Sequence, residues 1–307
     1  LIVNSSGGFS SAPWRLRQRL SRVDVEGPVI APGAYDALSA RLIGLAGFDA
    51  VYLTGFGAAA SLLGKPDIGL LTGTEMADQT RRVALATDVP LIADADTGYG
   101  NALNVAHTVT VFEQAGAAAI QLEDQVSPKR CGHMSGKELI PAAEMVGKIR
   151  AAVDARRNPD VVLIARTDAI AVDGIDAAIT RARAYQGAGA DALFIEAPAS
   201  ELDIGRIASE LAGEIPLVFN WVEGGRTPML SYERIAELGF AAILFPITAL
   251  FAATAGVRAV LSEFTAAGTS HAALPGLPTF DEFTALVGLP ELRAQEARYA
   301  ASYERNQ

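Results

Sequence analysis

Three carboxylates close two short hydrophobic runs: Asp94 and Asp96 in "VPLIADADTG", and Glu123 in "AAAIQLED". Two residues apart on a strand, Asp94 and Asp96 point to one face, and the small Ala93 and Ala95 suit the other. With Glu123 from an adjacent strand they make an all-oxygen donor set, with no cysteine pair or histidine cluster beside it. Such donors suit Mg²⁺ or Mn²⁺ rather than Zn²⁺. A single Asp can instead cap a following helix, and Asp124 fits that role.

Arg166, in "VVLIARTDA", can bind a substrate carboxylate bidentately. An ion pair with Asp168 or Glu196 is the competing role. Thr54-Gly55-Phe56-Gly57 can offer backbone N–H groups to an anion. The only cysteine, Cys131, lies in "LEDQVSPKRCGHMSGKEL", among Pro128, Gly132, Ser135 and Gly136, the composition of a mobile lid. Its neighbours Lys129, Arg130 and His133 are cations, which lower a thiol pKa from about 8.5. Such a thiol can protonate a carbanion or act as a nucleophile. With no Cys-His-Asn arrangement in sight, the acid role is preferred. His107 and His271 read as structural or loop residues.

These residues fall at regular places. Four segments run from a helix end through Gly into a hydrophobic strand: "LAGFDAVYLTG", "EQAGAAAIQLED", "GAGADALFIEA" and "ELGFAAILFPI". Gly47, Gly116, Gly189 and Gly239 fit the left-handed position that closes a helix. Four further strands alternate with them, "GPVIAPGAYD", "VPLIADADTG", "VVLIARTDA" and "IPLVFNWVEGG", giving eight. Helical patterns fill 36–46, 74–86, 104–115, 143–157, 175–187, 201–212, 231–238 and 248–265. Short, continuous apolar strands are those of a parallel sheet covered on both faces. Eight β–α units over about 250 residues predict a (β/α)₈ TIM barrel. A doubly wound sheet fits less well, because no Gly-rich dinucleotide fingerprint follows the first strand. The candidate residues then gather at the C-terminal strand ends, where barrels carry their active sites.

The domain expectation is a leader over 1–13, a catalytic barrel over 14–270, and a C-terminal helical extension over 271–307. That extension is expected to pack on the barrel or on a neighbouring subunit. Half of the 307 residues are hydrophobic, enough for a large core, and the net charge of −10 argues against nucleic acid or anionic membrane as partners. No apolar run reaches the roughly 18 residues of a membrane span. A lone cysteine suits a reducing, cytoplasmic compartment.

The stretches "LEDQVSPKRCGH", "IADADTGYG" and "ARTDA", with "PGAYDALSARL", "GKPDIGLLT" and "EGGRTP", resemble the isocitrate lyase / phosphoenolpyruvate mutase superfamily over most of residues 25–265. The resemblance implies a Mg²⁺-dependent barrel that stabilises an enolate while a C–C or P–C bond breaks. It implies that Asp96 binds the metal directly and that Asp94 and Glu123 hold metal-bound waters, with Asp67 close by. Thr54 and Gly55 would bind the pyruvate or glyoxylate half. Arg166, Glu196, Asn220, Gly132 and His133 would line the substrate pocket, and Cys131 would be the general acid on a gating loop. Tyr52, Glu123 and a metal-bound water all remain candidates for the base. A homotetramer exchanging C-terminal helices is also implied.

Within that superfamily the chain lacks the Ser-Pro-Ser run of long isocitrate lyases, carrying "FNWVEGG" instead. Pro246 resembles the methylisocitrate and dimethylmalate lyases, where oxaloacetate hydrolases carry serine. "GHMSGKEL" is nearer to the dimethylmalate lyase type. The expectation is a lyase that cleaves a 2-hydroxy di- or tricarboxylate of the 2-methylisocitrate or 2,3-dimethylmalate type. A carboxyphosphonoenolpyruvate phosphonomutase, or an oxaloacetate hydrolase, is the alternative.

Overall fold

The computed structural model describes residues 11–304. Residues 1–10 of the expected leader lie outside that range. Eight strands are present: β1 (Val29–Ala34), β2 (Val51–Leu53), β3 (Leu91–Asp94), β4 (Ala119–Glu123), β5 (Val162–Thr167), β6 (Ala192–Ile195), β7 (Leu217–Asn220) and β8 (Ala242–Phe245). Each pairs in parallel with the next, and β8 pairs with β1, so the sheet closes into a TIM-type barrel. Gly47, Gly116, Gly189 and Gly239 adopt φ of 83°, 100°, 106° and 79°, each turning a helix end into the next strand.

Strand alternation sorts the side chains. On β5, Val162 and Ile164 face the barrel interior, while Leu163 and Ala165 pack under the helices. The same parity sends Tyr52, Ile92, Phe194, Val218 and Leu244 inward. Continued one step along each strand, it aims the polar residues at the C-terminal ends into the mouth.

The floor is closed by the helix Ala12–Leu20. Ser11 caps it, Pro13 occupies the first turn, and Leu16 and Leu20 join the interior cluster. Arg17 donates to the carbonyls of Asp160 and Val161 at the start of β5. Ala12 and Pro13, assigned above to the leader, therefore belong to the barrel. Pro13, with its fixed φ, opens the helix.

A helix over Gly55–Leu63 follows β2, where the sequence pattern placed none. Thr54 caps it through its hydroxyl, which accepts from the Gly57 amide, and the Ala-rich sequence propagates it. The chain divides into two compact units, Leu1–Leu250 and Phe251–Gln307. The second contains the rest of the helix Thr248–Ala267 and the helices Phe280–Leu286 and Leu289–Glu304. By length and composition alone Thr248–Ala267 is apolar enough to cross a membrane, against the expectation that no such run exists. Its alanines raise the hydropathy, although Arg258 and Glu263 interrupt it.

Candidate active site

The mouth of the barrel holds a cavity of about 220 Å³. Strand ends supply Tyr52, Asp94, Arg166 and Asn220, with Thr54 and Glu196 one residue beyond β2 and β6. The segment after β4 adds Cys131, Gly132 and His133, and Asp67 also lines the wall. Asp96, Glu123 and Gly55 are close to it but do not line it.

Asp94 ends β3, whereas Asp96 lies beyond the strand with φ of 47°. The two acids therefore do not share a strand face as expected. A left-handed turn brings them together instead, and the Asp96 amide donates to Asp94 Oδ1 at 3.1 Å. Lys129 reaches into this acidic group, its Nζ 2.6 Å from Asp67 Oδ2 and 2.8 Å from Asp96 Oδ1. One ammonium cannot neutralise so many carboxylates. Burial raises the Asp96 pKa to about 7, with Lys129 lowering it and Asp94 and Asp67 raising it further. Burial also lifts Glu123 well above the usual carboxylate range, against the pull of Arg166.

Among the described residues no three His, Cys, Asp or Glu side chains already enclose a metal position. The donor set nevertheless fits a hard cation. It offers only oxygen, and Asp96 Oδ1 is buried without a well-directed hydrogen bond.

Arg166 forms the ion pair weighed for it and also lines the cavity. Its Nε and Nη2 donate to Asp168 Oδ2 and Oδ1, both at 3.0 Å. Nε lies 3.3 Å from Glu123 Oε2, and Nη1 lies 3.8 Å from Glu196 Oε2. Although burial opposes it, Asp168, Glu123 and Glu196 raise the arginine pKa further, so the guanidinium stays charged. Despite burial, Arg166 and Lys137 hold Asp168 down at about 2.

The segment 126–138 forms a lid over the cavity. Its ends are pinned by the antiparallel bridge between Gln125 and Leu139. Cys131 donates its amide to the Asp67 carbonyl at 3.2 Å. The neighbouring cations do not lower the thiol pKa. Burial raises it, and Asp67 and Glu196 add to that against the His133 amide and Arg166. The reason is direction: Lys129 faces Asp67 and Asp96, and Arg130 Nη1 donates to the Ser135 carbonyl. His133 Nδ1 accepts from the Arg226 amide, and Nε2 lies 3.0 Å from Glu196 Oε1. A thiol held protonated suits a proton donor and not a resting nucleophile.

The Thr54 and Gly55 amides are already engaged: Thr54 donates to the Ala34 carbonyl at 3.2 Å, and Gly55 to Asp94 Oδ2 at 3.2 Å. They do not form the open anion cradle read from the glycines. Tyr52 donates to Gln121 Oε1 at 3.2 Å, and burial and Asp94 push its pKa well above 10. Asn220 Nδ2 donates to both oxygens of Glu196, which leaves its buried Oδ1 without a donor.

The sequence reading missed Glu223, whose buried Oε2 has no hydrogen-bond partner at the cavity, and the inward courses of Lys129 and Lys137. Glu223 lies three residues past the end of β7, a position the strand-end logic could have reached.

The profile of the family described as phosphoenolpyruvate phosphomutase matches residues 19–265. The chain belongs to that family. It is 48% identical over 272 residues to the 2,3-dimethylmalate lyase of Eubacterium barkeri, covering 89% of this chain and 93% of that one. It is 45% identical to the chloroplastic carboxyvinyl-carboxyphosphonate phosphorylmutase of Arabidopsis thaliana, covering 93% of this chain and 85% of that one. A solved 2,3-dimethylmalate lyase, described as a PEP mutase/isocitrate lyase superfamily member, superposes with a TM-score of 0.88 at 39% identity. That match covers 95% of this chain and 96% of the other. A phosphonopyruvate hydrolase complex with oxalate and Mg⁺⁺ superposes with a TM-score of 0.85 at 35% identity, covering 95% and 100%. Within the family this chain stands with the carbon–carbon lyases.

Proposed function

We propose that the protein is a Mg²⁺-dependent lyase that breaks the C2–C3 bond of a 2-hydroxy di- or tricarboxylate of the 2,3-dimethylmalate or 2-methylisocitrate type. One observation carries this reading. A thiol kept protonated by burial lines the same cavity as the substrate-facing arginine and the carboxylate group.

Arg166, fixed by Asp168, binds a substrate carboxylate with its remaining N–H groups. Asn220 Oδ1 accepts a hydrogen bond from the bound molecule. Asp94, Asp96 and Glu123, with Asp67 beside them, would hold the cation, and Lys129 must move aside for it. Bound there, Mg²⁺ supplies electrophilic polarisation of the substrate's oxygens. The 2-hydroxyl passes its proton to the active-site base, C2–C3 breaks as the C2 carbonyl forms, and the electron pair passes to C3. The Cys131 thiol delivers its proton to C3, releasing a saturated carboxylate beside pyruvate or glyoxylate. Of the base candidates, Tyr52 is disfavoured by its raised pKa. Both Glu123 oxygens are engaged, one by Gln125 and the other near Arg166.

The mutase reading is less well supported. Transfer of a phosphoryl group asks for cationic contacts beyond Arg166, but Lys129 is held by Asp67 and Asp96. It also leaves the protonated thiol without a task. We further propose that a second copy of the chain covers the apolar helix Thr248–Ala267 in a homotetramer; a monomer by light scattering at micromolar concentration excludes this.

The deciding experiment is a panel assay of 2,3-dimethylmalate, 2-methylisocitrate, citramalate, isocitrate and oxaloacetate. Pyruvate or glyoxylate release from one of the 2-hydroxy acids supports the lyase. Turnover of a phosphonate alone, followed by ³¹P spectra, overturns it.

A further inference from the structure

The lid is tied to the barrel by a lysine with no assigned part in the reaction. Lys137 lies at the C-terminal end of the lid, and its side chain is 1% exposed. Its ammonium makes two contacts that bear on the site. It donates to Asp168 Oδ1 at 2.9 Å, and it donates to the carbonyl of Gly132. Gly132 directly follows Cys131, so this carbonyl sets the turn that presents the thiol. That turn is closed by the Met134 amide on the Cys131 carbonyl at 2.8 Å. Asp168 is the carboxylate that grips Arg166.

We propose that Lys137 is a positioning residue that clamps the lid shut. It fastens the Cys131–Gly132 turn to the same carboxylate that orients Arg166, so the thiol and the arginine are held in one register.

Charge neutralisation accounts for only one of the lysine's two contacts. Arg166 already pairs with both oxygens of Asp168. A second cation there adds a fixed link to the Gly132 backbone carbonyl. The close fit of the lid supports the same conclusion. A Cβ built at Gly132 would collide with Arg166 Nη2 and approach Glu196 Oε1 at 2.5 Å, so the lid backbone rests against these side chains with no room to spare. Held that closely, small shifts of the turn would misplace the thiol. Lys137 is buried where the shift would begin.

The inference rests on the lyase reading only for its effect on kcat; the position of the lid is read separately, from the reactivity of Cys131. In the wild-type protein Cys131 should react with iodoacetamide much more slowly than free cysteine. In Lys137→Met, loss of a charge-assisted hydrogen bond to the lid should speed alkylation by about tenfold or more. Turnover should fall together with that acceleration, while KM changes little because Asp168 still orients Arg166. Lys137→Gln, which keeps an N–H for the Gly132 carbonyl, should lie between the two.

A merely structural lysine gives a different pattern, with a lower Tm but unchanged alkylation and kcat at 25 °C. That pattern overturns the proposal. So does wild-type alkylation as fast as that of free cysteine, a result that needs no variant to fold.

Discussion

Asp168 grips Arg166 through two parallel hydrogen bonds of 3.0 Å, from Nε to Oδ2 and from Nη2 to Oδ1. The two residues are next-but-one neighbours at the end of β5, so the pair is built by local sequence and fixed by the barrel wall. The grip leaves the other N–H groups of the guanidinium for substrate and sets their direction. A lysine offers a point charge without that planar fork.

Arg166→Lys should therefore lower kcat/KM by about tenfold to a hundredfold, mostly through KM, since a bidentate charge-assisted contact is lost. Steady-state kinetics with the substrate found in the panel assay measures this. A variant with unchanged KM would show that Arg166 does not hold the substrate carboxylate.

The metal-free carboxylate group predicts an unusual pH response. Burial raises Asp96 to about 7 in the fold, well above the usual value for an unfolded chain. A raised folded pKa means that the fold favours the protonated acid. This contribution to stability is fully present below the unfolded pKa of about 3.9 and is lost as pH rises through about 7. In the presence of a chelator, Tm should therefore fall as pH rises from about 5 to about 7, and this contribution should level off above that. Saturating Mg²⁺ should flatten the slope, because it stabilises the ionised form. A slope that Mg²⁺ leaves unaltered counts against a cation at Asp96.

Removal of divalent metal by chelation should abolish turnover, and Mg²⁺ or Mn²⁺ should restore it. Elemental analysis of the fully active protein checks the same point. Full activity with no bound metal would refute the hard-cation site.

The barrel was legible because its signals are local. Glycine after each helix and short apolar strands mark the units, and parity then aims Asp94, Arg166 and Asn220 into the mouth. The helix Gly55–Leu63 was not legible, because glycines at its first and third positions look like loop. The cysteine environment misled for another reason. Sequence neighbours in a lid point in different directions, so Lys129, Arg130 and His133 each find partners away from the thiol. Lys137, six residues beyond Cys131, carries a contact that no spacing rule encodes.

Gly132→Ala tests the closeness of the lid. The added methyl meets Arg166 Nη2 and Glu196 Oε1, charged groups held in place by their own partners. The lid, not the barrel wall, should yield. Turnover should drop while the fold and Tm remain near those of the wild type. Unimpaired kcat would mean that the lid need not rest on Arg166 during the reaction.

Cys131→Ser tests the proton donor itself. Serine keeps the shape of the side chain, but its hydroxyl is a far weaker acid than a thiol. General acid catalysis contributes roughly 10²–10⁴-fold, so kcat should fall by about that factor. Substrate affinity should change little, because Arg166 and Asn220 are untouched. The pH profile adds an independent sign. Burial raises the thiol pKa, so the acid stays protonated through neutral pH, and loss of its proton should give wild-type kcat an alkaline limb. That alkaline limb should disappear or shift upward in the serine variant. A structural cysteine behaves in the opposite way, with a lower Tm and a kcat near that of the wild type. Both quantities can be read on one preparation, and near-normal turnover would sink the acid role.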